Sequence, residues 1–266
     1  MPYLDLSTHR LHYRVELREG GMAARPWLVF CNSLGTDLRM WDQQVAELGQ
    51  YFRILRYDRR GHGSSTAPPE PYALSDLGQD VIALLNAFEI GRAHFCGLSI
   101  GGLTGQWLGV HAPDRLLKLV VCATAPRIGT AGGWASRIDD VRKNGLKPIR
   151  EATRERWFSP AYAESNPLLV SDVLDRFETT SPTGYIGCCA ALAGADLASD
   201  LAGIDVPLLA ISGADDPVCP PSDLRKIASA VPHGRHVSLP GRHIFSIESP
   251  LQFNGAVREF LQAQAC

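Results

Sequence analysis

Serine, aspartate and histidine can together convert a hydroxyl into a nucleophile, and this chain carries the three in an order that suits one kind of sheet. The run Ala93-His94-Phe95-Cys96-Gly97-Leu98 is apolar and strand-like, and it leads into Ser99-Ile100-Gly101-Gly102. Helical character then continues through LTGQWLGVH to Pro113. A strand, a sharp turn and a helix expose a serine Oγ above the sheet, at the positive end of the helix. Gly97 and Gly101 flank Ser99 because so tight a turn leaves no room for Cβ atoms two residues to either side. Ser99 is the expected nucleophile.

A general base must take the serine proton, and a carboxylate must hold that base in one tautomer. On a sheet with this turn the acid and then the histidine follow the serine along the chain. Of the eight histidines, only His233, His236 and His243 come late enough. His236 lies within the strand-like RHVSLP and His233 just before it, which suits structural roles. His243 follows on the loop PGRHIFSIESP and is the expected base. The acid is sought after the strand-like PLLAISG, where Asp215 and Asp216 stand side by side.

The oxyanion of such a reaction needs two backbone N–H donors, one after the nucleophile and one in a loop after an early strand. Ile100 and Leu34, the latter in Asn32-Ser33-Leu34-Gly35-Thr36, meet that description. The segment Tyr57-Asp58-Arg59-Arg60-Gly61-His62-Gly63-Ser64-Ser65 is assigned a structural role, bracing neighbouring loops, and His62 shares it.

Other chemistries lack their residues. No CxxC pair, HExxH or acidic calcium loop occurs, so no metal and no cofactor are expected. The seven cysteines are scattered and read as reduced thiols. Lys and Arg number 26 against 28 Asp and Glu, a net charge of -2, which argues against nucleic acid as a partner. No apolar run reaches the ~20 residues of a membrane span, and the start lacks a leader pattern, so a cytoplasmic protein with no membrane contact is expected. The oligomeric state stays open between a monomer and a homo-oligomer.

The elements that must position these residues alternate between strand-like and helical runs, as in an α/β protein with a mostly parallel sheet flanked by helices. Strands are predicted at 11–17, 27–32, 52–58, 93–98, 117–124, 207–213 and 235–240. Helices are predicted at 75–90, after a serine cap, and at 251–264. Residues 127–199 contain helical stretches and no convincing strand. They are read as an inserted helical cap on a core made of residues 1–126 and 200–266.

With these motifs the chain resembles the α/β-hydrolase family along nearly its whole length. The family spacing Gly-x-x-Asp, matched by Gly213-Ala214-Asp215-Asp216, implies Asp216 as the acid, with Asp215 as the alternative. The chain departs from the family at Asn32-Ser33, where His-Gly usually precedes the second oxyanion donor. More narrowly, NSLGTDLRMWD and CGLSIGG resemble the 3-oxoadipate enol-lactonases. That resemblance implies a cofactor-free carboxylic-ester hydrolase of the β-ketoadipate route of aromatic (protocatechuate and catechol) breakdown, acting on a small anionic lactone. Its side-chain carboxylate would need local groups, and the cap offers Arg127, Trp134, Arg137, Arg154, Arg156 and Trp157. Trp134 is the choice for an apolar wall and Arg137 for the anion. The competing readings are a general carboxylesterase or carbon–carbon bond hydrolase on the same fold, and a non-catalytic receptor.

Overall fold

The computed structural model describes residues 2–17 and 25–263, in which eight strands form one sheet. They are β1 (Tyr3–Asp5), β2 (Arg10–Glu16), β3 (Trp27–Cys31), β4 (Arg53–Tyr57), β5 (Ala93–Leu98), β6 (Leu116–Cys122), β7 (Leu208–Gly213) and β8 (Gly234–Leu239). Their order across the sheet is β1-β2-β4-β3-β5-β6-β7-β8. β1 and β2 pair antiparallel, as do β2 and β4, and every later pair is parallel. β5 and β7 are buried throughout, and β3 and β6 nearly so, because helices cover both faces of a parallel sheet.

Helices α1 (Asp42–Leu48), α2 (Leu74–Ala87) and α3 (Ile100–His111) follow β3, β4 and β5. Between β6 and β7 come α4 (Ala131–Asn144), α5 (Arg150–Trp157), α6 (Pro160–Ser165), α7 (Pro167–Glu178) and α8 (Pro182–Gly194). Then α9 (Pro221–Ala230) precedes β8, and α10 (Phe245–Glu248) and α11 (Pro250–Gln262) close the chain. The helical segment approaches the loop after β4 closely where Gly61 faces Gly184. A Cβ on Gly61 would stand 2.2 Å from the Gly184 Cα, so side chains are excluded from both positions.

The seven predicted strands each form within two residues of the predicted ends, but β1 went unread, being three residues long and only half-buried. Helix α2 begins at Leu74, before the serine assigned as its cap. Its first turn is closed by the Asp76 carboxylate, which accepts the Ala73 amide at 2.8 Å. It ends at Ala87, short of the predicted Ile90, because Glu89 turns to a φ of +52° and the Ile90 amide bonds back to the Leu85 carbonyl at 2.8 Å. The last predicted residue of the closing helix, Gln264, and Cys266 lie outside the described residues. The other six cysteines are buried and unpaired by disulfides.

Candidate active site

The β5–α3 turn holds Ser99 at φ +61° and ψ -121°, a conformation that non-glycine residues rarely adopt. Three bonds oppose its relaxation. The Ser99 amide donates to the Cys122 carbonyl at 2.8 Å, and the Ser99 carbonyl accepts from the Leu103 amide at 2.9 Å and the Thr124 hydroxyl at 2.8 Å. A Cβ on Gly97 would fall 2.1 Å from the Gly101 carbonyl oxygen, and one on Gly101 would fall 2.3 Å from that of Cys31. Glycine is required at both places, and the strain is carried by the serine between them.

Asp216 lies three residues beyond the end of β7, with its side chain fully buried. Its Oδ2 is 2.9 Å from His243 Nδ1. Its Oδ1 accepts the amides of Val218 at 2.8 Å and Cys219 at 3.2 Å, so the carboxylate is fixed from both ends. With Nδ1–H donating to a carboxylate, Nε2 is left as the basic nitrogen of a neutral ring. Asp215 is exposed on the same turn, and the hydrogen bond to His243 is made by Asp216. His236 bonds Ser212 Oγ at 3.0 Å, and His233 stands exposed near Asp205.

The loop carrying His243 is tied to the helical segment above it. The His243 and Ile244 amides donate to the carbonyls of Arg156 and Trp157, at 3.4 and 3.3 Å, at the end of α5. Glu248 accepts the Arg242 amide at 2.7 Å through one oxygen, and the Ser159 amide and hydroxyl at 3.1 and 2.5 Å through the other.

Leu34 lines the cavity onto which Ser99 opens, and Ile100 follows Ser99 in the chain. Ile100 is the first residue of α3, so its N–H has no acceptor within the helix. Leu34 lies in the loop after β3, where the side chain of Asn32 supplies the bracing. Asn32 Nδ2 donates to the Tyr57 carbonyl at 2.9 Å, and its Oδ1 accepts the Trp41 indole N–H at 2.9 Å. Thus the Asn32 side chain supports the loop that carries Leu34. The Asp58 segment lies behind this loop. Asp58 accepts the amides of Leu38 at 2.7 Å and Ser64 at 2.9 Å and pairs with His12 at 2.7 Å. Burial, with Arg59 adding to it, pushes the His62 pKa down to about 3, which keeps that ring neutral.

Ser99, Leu34 and His243 open onto one cavity of about 180 Å³. That is below the ~300 Å³ at which pockets for drug-sized ligands begin, so its occupant must be small. Trp134 and Arg137 of α4 line it, as chosen from the sequence, together with Arg156 and Trp157 of α5. Arg127 and Arg154 lie elsewhere, beside Asp196 and Glu151 respectively. Neither Arg137 nor Arg156 has a carboxylate within ion-pair distance among the described residues. Arg156 donates to Thr153 Oγ1 at 3.1 Å, and burial, reinforced by the neighbouring Arg137, pushes its pKa down. Sequence reasoning did not single out Phe177, Tyr185 or Val218, which also line the cavity. Tyr185 carries no motif, and burial raises its pKa against the opposing charges of Arg137 and Arg156.

Among the described residues, no cluster of three or more His, Cys, Asp or Glu could hold a metal, and no helix is long and apolar enough to cross a membrane. The arrangement supplies a hydroxyl on a strained turn, a carboxylate-held imidazole, two candidate amide donors and two cations without carboxylate partners among the described residues. It is suited to acyl transfer on a small anionic substrate.

Residues 28–256 match the model of the alpha/beta hydrolase family. The chain is 43% identical over 242 residues to 3-oxoadipate enol-lactonase 2 of Acinetobacter baylyi, covering 91% of each chain. It is 37% identical to 3-oxoadipate enol-lactonase 1 of the same organism, covering 92% of each. Among solved structures, the enol-lactonase from Burkholderia xenovorans LB400 superposes with a TM-score of 0.96 at 42% identity, covering 98% of this chain and 100% of that one.

Proposed function

Because the chain belongs to the alpha/beta hydrolase family, we propose that it is a serine hydrolase that opens 3-oxoadipate enol-lactone to 3-oxoadipate, within the β-ketoadipate route of aromatic catabolism. The observation that carries this reading is the pairing, in one small cavity, of Ser99 and His243 with two arginines that lack carboxylate partners. An uncompensated pair of cations above a nucleophile favours a substrate with a carboxylate some distance from its reacting carbonyl.

Ser99 Oγ attacks the lactone carbonyl while His243 Nε2 takes its proton, and Asp216 stabilises the imidazolium that results. The new oxyanion is received by the amides of Leu34 and Ile100. Collapse breaks the ring C–O bond and releases an enol, which tautomerises to the ketone, with the other half of the molecule held as an ester on Ser99. Water, deprotonated by His243, then frees the acid. Trp134 forms an apolar wall for the flat ring and Arg137 binds the side-chain carboxylate. Residues 127–199 act as the cap that closes the cavity, over a core of 1–126 and 200–266.

A spectrophotometric assay compares the enol-lactone with p-nitrophenyl acetate and with a saturated γ-lactone bearing the same carboxymethyl group. The enol-lactone should give the highest kcat/KM, since an enol oxygen leaves with little protonation whereas an alkoxide must be protonated as it departs. Similar values for the two lactones, or faster turnover of the acetate, would replace this substrate with a general ester and leave the roles of Ser99, Asp216 and His243 as described.

A further inference from the structure

Three buried arginines lie at or beyond the end of β4, and their surroundings differ. Arg56 pairs with Glu16 and Asp42, and Arg60 makes two 2.7 Å bonds to the Asp80 carboxylate. Arg59, only 1% exposed, has no carboxylate within ion-pair distance among the described residues. Its Nη2 donates to the Asn32 carbonyl at 2.6 Å and to Cys31 Sγ at 3.3 Å, while its Nε and Nη1 have no hydrogen-bond partner among the described residues. Guanidinium cannot shed its proton in a protein interior, so the charge stays. A buried cation without a counter-ion is costly to the fold, and an apolar side chain of similar volume would be more stable.

What Arg59 touches gives that charge a use. The Asn32 carbonyl oxygen would stand 2.7 Å from a Cβ placed on Gly101, so it lies against the first turn of α3, next to Ile100. Two residues further along the same loop is Leu34. The negative end of the Asn32 peptide is therefore turned towards the seam between the two segments that carry the oxyanion donors. Left alone, it would oppose negative charge developing there. Arg59 donates to that oxygen and adds positive potential from a buried position.

We propose that Arg59 is a positioning residue for the oxyanion site, holding the Asn32 carbonyl and biasing the seam between the Leu34 loop and α3 towards negative charge. This rests on the reading of Leu34 and Ile100 as the donors. Arg59 does not line the cavity that Arg137 and Arg156 line, so it acts on the transition state and leaves ground-state binding alone.

The test compares Arg59→Met, Arg59→Gln and Arg59→Lys with Ser99→Ala in the full chain, assayed on both p-nitrophenyl acetate and the enol-lactone, with thermal unfolding in parallel. Arg59→Met should lose about tenfold in kcat on both substrates, below the hundredfold or more that a direct oxyanion donor carries, with KM within about twofold of wild type. Its Tm should equal or exceed that of wild type. Arg59→Gln, which keeps a donor and loses the charge, should lose kcat similarly and carries the comparison if the Met variant does not fold. Arg59→Lys should recover most of the rate. Affinity for phenylboronic acid, which forms a tetrahedral anion on the serine, should fall in Arg59→Met by the same factor as kcat. Wild-type kcat in both neutral variants, or a lowered Tm with unchanged kcat, would overturn the proposal. An active Ser99→Ala enzyme would instead overturn the serine-hydrolase reading beneath it.

Discussion

Asp216 faces His243 with one oxygen, at 2.9 Å from Nδ1, and turns the other to the amides of Val218 and Cys219. The carboxylate is therefore oriented by the backbone before it meets the ring. In Asp216→Asn the amide oxygen can still take the two backbone donors, which would leave the NH2 group facing Nδ1 and force the wrong histidine tautomer. The expected result is a kcat loss of about 10⁴-fold with little change in KM. Asp215→Asn, on the exposed neighbour, should stay within about threefold of wild type, as surface changes usually do. Steady-state kinetics on the two variants checks the assignment, and the reverse ranking would reject it.

The left-handed φ of Ser99 separates its roles in catalysis and folding. Both Ser99→Ala and Ser99→Gly should reduce kcat by about 10⁴-fold or more, since both remove the Oγ. They should differ in stability. Glycine relieves ~1–3 kcal/mol of backbone strain and gives back ~0.5–1 kcal/mol in chain entropy, so the Gly variant should be more stable than the Ala variant by about 1 kcal/mol. Urea unfolding of the pair measures this. A Gly variant less stable than the Ala variant would show that the turn is not strained at Ser99.

Arg137 lines the cavity without a carboxylate partner, whereas Arg127 sits 3.5 Å from Asp196 at the surface. Removing one charged hydrogen-bond donor from a bound carboxylate costs ~1.5–3 kcal/mol, or about a 10- to 100-fold rise in KM for the anionic lactone. Arg137→Ala should show that rise and leave KM for p-nitrophenyl acetate unchanged. Arg127→Ala should affect neither substrate. An equal effect of Arg137→Ala on both substrates would mean that it acts through the packing of α4.

The parts of the site that rest on local geometry were legible in the sequence. Gly97 marks the turn because a Cβ there would meet Gly101 four residues on, and β5 was predicted with its observed ends for the same local reason, whereas the clash that excludes a side chain at Gly101 comes from Cys31, distant in sequence. The helical segment was legible as helices, and Trp134 and Arg137 were chosen from it, but the rest of its lining was not legible. Phe177 and Tyr185 reach the cavity from α7 and α8, and only the packing of those helices decides which face turns inward. Arg59 shows the limit most clearly. It stands beside Arg60 in one run, yet Arg60 meets Asp80 and Arg59 meets no acid among the described residues, a difference made by side chains distant in sequence. Asn32 was noted as a departure from the family, while its bonds to Tyr57 and Trp41 emerge only on folding.

Buried histidines make the fold sensitive to acid in a direction that follows from their surroundings. His94 on β5 packs edge-on against Phe52 with its Nδ1 unpartnered, and burial, with Lys118 adding to it, lowers its pKa from 6.5 to about 4. Between those two values the unfolded chain binds a proton at this ring and the native chain does not. Stability therefore falls as the pH drops from 6.5 towards 4, by up to about 1.4 kcal/mol per pH unit for one such group. His62 adds a slope of the same sign, extending down to about pH 3. Replacing His94 with leucine removes its share and leaves that of His62. Urea unfolding at pH 6.5 and pH 5.0 should show the wild type losing about 1.5 kcal/mol more than His94→Leu over this interval, less than the full slope over 1.5 pH units because the unfolded ring is only half protonated at pH 6.5. Equal losses in the two proteins would mean that the His94 ring takes up its proton in the native state at the same pH as in the unfolded chain, and the acid sensitivity would have to be sought in the carboxylates.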